Sequence, residues 1–86
     1  MSQQAPFFHA DSGTVRFWTL IGDDWVGASI SKETLHYVFN RDKSDDQPLP
    51  TYLAHAAAIE AAVRRRIAGG SYQPVILREP DLRLPA

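Results

Sequence analysis

Apolar and polar residues alternate through positions 14–21, with Val15, Phe17, Thr19 and Ile21 on one face of an extended chain and Arg16, Trp18 and Leu20 on the other. A period of two in a run of β-branched and aromatic residues predicts a half-buried strand. Gly22-Asp23-Asp24 predicts the turn that reverses it. Residues 25–31 then repeat the alternation, placing Val26, Ala28 and Ile30 on one side and Trp25, Gly27 and Ser29 on the other. A short strand over 7–10 precedes this hairpin, separated from it by Asp11-Ser12-Gly13, residues that bond their own backbone or accept positive φ.

The period changes after Ser31. Its hydroxyl suits the N-cap of a helix running to about Phe39, and Glu33 complements the positive end of that helix. Ile30 stands at staple spacing from Leu35, and Leu35, Val38 and Phe39 form one apolar face. Residues 40–50 are polar and carry Pro48 and Pro50, so they predict an inter-helix linker. The second helix is predicted to begin with Thr51 as its cap, although either proline as first helical residue would shift that start by a turn. Tyr52, Ala56, Ile59, Val63 and Ile67 recur every three or four residues and form its core stripe, while Gly69-Gly70 stops it. Residues 72–78 carry Val75 and Leu77 on one face of a last strand, with Pro74 at its start or on a sheet edge.

The order β-β-β-α-α-β predicts an α+β fold, an antiparallel sheet of three to four strands with two helices on one face. The 86 residues form a single domain, with an ordered core over about 7–80 and loose termini at 1–6 and 81–86. A chain with 44% hydrophobic and 22% charged residues belongs among globular proteins, and a net charge of -1 supplies no global field toward nucleic acid or anionic lipid. Cysteine is absent, which excludes disulfides and thiolate metal sites and suits a reducing cytoplasm. No basic segment followed by an apolar run opens the chain, so no signal peptide is expected, and no apolar run approaches the roughly 18 residues of a membrane span.

The strand around Phe17, the Ile30-Ser31 helix entry with Leu35, the Ile59-Glu60 pair with Val63, Ile67 and Gly70, and Pro74-Val75-Ile76-Leu77 followed by Asp81 together resemble a small bacterial family catalogued as domain of unknown function 1488. The resemblance covers roughly residues 8–81. It implies an α+β fold and a bacterial origin, and it carries over no activity and no catalytic residue.

Candidate chemistry is sparse. Arg64-Arg65-Arg66 are adjacent on a helix and fan out by about 100° each, so they do not form one basic surface, and Arg64 stands four residues after Glu60 in the favourable order for an ion pair. His55 and Glu60 flank the core stripe on opposite sides, and with Arg64 they make the best polar site the sequence offers. His9 and His36 lie on other elements, no HExxH is present, and neither a metal nor a cofactor is expected. Ser29 and Ser31 lack the surroundings of a nucleophile, and Gly69-Gly70 lacks those of a phosphate loop. Asp23-Asp24 and Asp45-Asp46 read as solvated charge in a turn and a linker, and Ala54, Ala58 and Ala61 as outward helix formers.

The surplus is hydrophobic. With Val15, Phe17 and Ile21 turned to the helices, Arg16, Trp18, Leu20 and Trp25 are left on the far face of the sheet, where an apolar patch marks an interaction surface. Three readings follow. The first is a non-catalytic interaction module that self-associates or binds a protein through that face or a strand edge. The second binds nucleic acid or a nucleotide by stacking bases on Trp18 or Trp25 beside Arg16 and Arg78. The third, a small enzyme using His55 and Glu60, ranks last because nucleophile, base and orienting group do not come together.

Overall fold

The computed structural model describes residues 5–41, 47–70 and 74–82. Strands β1 (Phe7–His9), β2 (Thr14–Ile21) and β3 (Asp24–Ser31) are followed by helices α1 (Lys32–Phe39), α2 (Pro48–Ala54) and α3 (Ala56–Ala68), then β4 (Val75–Leu77) and the single-turn α4 (Glu79–Leu82). The strands lie in one sheet in the order β1-β2-β3-β4. The α+β class is therefore as the sequence predicts. Tyr72, Asp45-Asp46 and residues 83–86 lie outside the described residues.

The hairpin is fully registered from Thr14 opposite Ser31 to Ile21 opposite Asp24. Its turn has two residues, one fewer than the sequence suggests, because Asp24 pairs as the first residue of β3. Gly22 takes the leading turn position with φ +62°, a conformation that a tight hairpin requires there and that residues with a Cβ resist. Val15 faces Ile30, Phe17 faces Ala28 and Thr19 faces Val26, and all six are buried. Against this face pack Leu35 of α1, Tyr52 of α2 and Ile59, Ala62 and Val63 of α3. The rings of Phe17 and Tyr52 approach to 4.8 Å.

Three features differ from the sequence expectation. The last strand runs parallel to β3, with Ala28 opposite Val75 and Ile30 opposite Leu77, so the sheet is mixed rather than antiparallel. A parallel return needs a long crossover, and the helical segment between β3 and β4 supplies it. The expected second helix is two helices, α2 beginning with Pro48 at N1 and α3 beginning after a joint at His55, whose backbone leaves the helical range at φ -121° and ψ 22°. No helix breaker marks that joint. Instead the His55 imidazole stacks on Phe39 of α1 at 4.1 Å and 10°, a tertiary contact outside the reach of helix periodicity. Finally, Asp81 and Leu82, expected in a loose tail, belong to α4, and Leu82 packs against the core.

The caps follow the sequence closely. Ser31 Oγ accepts the Thr34 backbone N–H at 3.0 Å, worth about 1 kcal/mol of helix stability. Gly70, at φ +99°, ends α3 and donates its N–H to the Ile67 carbonyl. Among the described residues one buried side-chain polar atom is left over. Thr19 Oγ1 is buried with no hydrogen-bond partner, a condition that costs about 1–3 kcal/mol relative to a satisfied or apolar group. Thr19→Val should therefore raise the unfolding free energy by about 1 kcal/mol; a urea midpoint that falls, with an unchanged slope, would show that the hydroxyl does have a partner.

Candidate interaction surface

The outward side of the sheet is built by the same alternation that fills the core. Because Phe7 pairs with Arg16 and Leu20 with Trp25, the residues Phe7, Trp18 and Trp25 form a diagonal across β1, β2 and β3. Phe7 and Trp18 lie 6.2 Å apart, ring to ring. Gly27 stands opposite Trp18 and adds no side chain beside the indole. Both tryptophans are half-buried, Arg16 is exposed, and Leu20 and Ile76 are exposed to 43% and 54%. Among the described residues, Arg16 is the sole Asp, Glu, Lys or Arg at the outward positions of the four strands, and no helix packs over them.

The two sheet edges differ. At β4 the Arg66 guanidinium donates to the Ile76 carbonyl at 3.1 Å and to Asp81 Oδ2 at 2.7 Å, so a charged side chain covers the edge. At the other side β1 pairs only with residues 14–16 of β2. Beyond them, no described strand lies along that edge of residues 17–21.

The members of the sequence-predicted polar site make separate contacts. Glu60 meets Arg64 at 3.8 Å as a partly exposed pair one helical turn apart, while His55 stacks on Phe39 at the α2–α3 joint. Burial first, and the negative charge of Glu60 second, push the Tyr52 phenol up to about 12. Among the described residues no group of three or more His, Cys, Asp or Glu is placed to hold a metal ion. None of the described helices is long and apolar enough to cross a membrane.

The arginine run is divided, as helical geometry requires, among separate partners. Arg64 pairs with Glu60, Arg65 Nη2 donates to the Asp81 carbonyl at 2.7 Å, and Arg66 holds the Asp81 carboxylate. The Arg78 backbone N–H also donates to Asp81 Oδ2, at 2.8 Å. Arg66, Arg78 and Asp81 thus border a shallow groove with Ile76 and Pro80. A clustered basic face, the footprint that nucleic-acid binding leaves, is not formed on the aromatic side of the sheet among the described residues.

Sequence reasoning missed Phe7, Ile76 and the Asp81 knot. Alternation in Phe7-Phe8-His9 and Val75-Ile76-Leu77 carried the facial assignment of the first two, but only the register shows which neighbours they join. The bonds from Arg65 and Arg66 to Asp81 leave no local signal, because both arginines are 15 or more residues away. No protein-family model, curated protein or solved structure matches the chain.

Two measurements check this assignment. Asp81→Ala should lower the unfolding free energy by about 1–2 kcal/mol through loss of charge-assisted bonds, whereas Glu60→Ala, which breaks a solvent-screened pair, should change it by less than about 0.5 kcal/mol. Ultraviolet titration should find the Tyr52 phenol still protonated when an unfolded tyrosine, at 10.0, has begun to ionise, with its own transition near 12. The sign is then set: the unfolded chain releases a proton that the folded chain keeps, so this contribution is intact below pH 10 and is lost as pH rises toward 12. Tyr52→Phe should flatten that alkaline decline.

Proposed function

We propose that this protein is a non-catalytic interaction module that docks through the outer face of its sheet, with a second copy of itself as the preferred partner. The observation that carries this reading is the composition of that face: two indoles, Phe7, Leu20 and Ile76 around a lone arginine, in a chain whose helices serve the opposite side. Outward strand positions on a monomer are ordinarily polar, and an apolar patch of this kind marks a surface that is covered in use. Tryptophan and arginine are also the residues on which interface energy concentrates.

Nothing in this reading requires a cofactor or a metal. The cysteine-free composition favours a cytoplasmic setting, and the resemblance noted above favours a bacterial origin without suggesting an activity. The enzyme reading is the weakest, since His55 and Glu60 engage different partners.

Sedimentation velocity tests the proposal directly. The wild-type chain should sediment as a dimer at micromolar concentration, and Trp18→Arg should shift it to monomer while leaving the circular-dichroism spectrum intact. A wild-type monomer across the accessible concentration range would refute self-association; salt-dependent binding of single-stranded oligonucleotides by such a monomer would support stacking on the same indoles instead.

A further inference from the structure

The register of the hairpin fixes which backbone groups reach the open edge of β2. Its two-residue turn closes on Ile21 opposite Asp24, and the closing pair of such a turn is a hydrogen-bonded one. Hydrogen-bonded and non-hydrogen-bonded pairs alternate along an antiparallel ladder, so Phe17, Thr19 and Ile21 direct their N–H and C=O groups to β3. The residues between them direct theirs away from it. Phe7 and His9 of β1 pair with Arg16 and Thr14, but β1 begins at Phe7, and Ala5 and Pro6 before it form no strand. The N–H and C=O groups of Trp18 and Leu20 are therefore left facing an edge along which no described strand lies. Residues 17–21, Phe-Trp-Thr-Leu-Ile, hold none of the charges or prolines that blunt strand edges, whereas Arg66 covers the edge at β4.

Resting on the self-association reading, we infer that the second copy is held by antiparallel pairing of the two β2 edges about a two-fold axis through Thr19, joining two four-stranded sheets into one. The open edge is its own complement. With the axis at Thr19, Trp18 of each copy lies opposite Leu20 of the other, and the four N–H and four C=O groups involved form four hydrogen bonds. Neighbouring registers fail. An axis at Trp18 would bring Leu20 against Arg16 of the other copy, a position that Phe7 already holds. An axis at Leu20 sets Trp18 against Gly22, in the turn, and an axis between residues opposes an edge-facing group to one already bonded to β3. At Thr19 the strand of the second copy reaches Ile21 level with Phe17 and turns away at Gly22, just before the position of Phe7. The outward side chains agree with this register. Each Trp18 meets Leu20 of the other copy as a cross-strand aromatic and aliphatic pair, so the two apolar patches merge on one side of the joined sheet.

Amide exchange in the full-length protein tests the pairing. On going from dilute monomer to concentrated dimer, the Trp18 and Leu20 N–H groups should slow by about tenfold or more, while those of Phe17, Thr19 and Ile21, bonded within the hairpin, stay unchanged. A mixture of isotope-labelled and unlabelled chains should show a cross-peak between the Hα atoms of Thr19 in the two copies, because the non-hydrogen-bonded pair is the close one. Leu20→Pro removes an edge-facing N–H and no bond to β3, so it should weaken the dimer by about thirtyfold or more. Trp25→Arg alters the outer face on β3, away from the edge, and should stay within about threefold of wild type. If Leu20→Pro unfolds the chain, the exchange and the cross-peak in wild type decide. A dimer that Trp25→Arg abolishes, with Trp18 and Leu20 exchanging freely, overturns edge pairing and leaves self-association through the face standing. A chain that is monomeric at every concentration overturns both.

Discussion

Every second side chain of the β2–β3 hairpin enters the core, and the position of each other element follows from that. The inner residues from Val15 to Thr19 on one strand and from Val26 to Ile30 on the other make a continuous apolar floor. Leu35, Tyr52, Ile59 and Val63 have no other surface to bury against, so α1, α2 and α3 lie on the same side. A sheet has two faces, and the alternation that fills one commits the other to whatever the intervening positions carry. In this chain they carry Trp18 and Leu20.

A thin two-layer domain of this size has little reserve of buried area, so contacts between distant segments matter. The Asp81 knot is one. It ties α4 and the end of β4 to the last turn of α3 through Arg65 and Arg66, and it covers the β4 edge at the same time. The His55 stack on Phe39 is another, joining α1 to the break between α2 and α3. Both polar residues that sequence alone would nominate for chemistry, His55 and Glu60, thereby have structural work: one closes a helix joint, the other pairs along α3 and adds its charge to the surroundings of Tyr52.

The same economy accounts for the outer face. Helices that would cover it are spent on the inner side, and strand positions that solvent would accept as lysine or glutamate hold aromatic and aliphatic groups.

Local periodicity by itself determined the hairpin, its two faces, the Ser31 cap, the core stripe from Tyr52 to Ile67 and the glycine stop, because each rests on neighbours within about four residues along the chain. The outward placement of Arg16, Trp18, Leu20 and Trp25 was legible for the same reason. Tertiary structure alone decided that β4 lies parallel beside β3, that the long helix divides at His55, that Phe7 and Ile76 complete the aromatic face, and that Asp81 gathers Arg65 and Arg66. Those features depend on which segments meet in space, and contacts between residues far apart in sequence leave no period for local pattern to reveal.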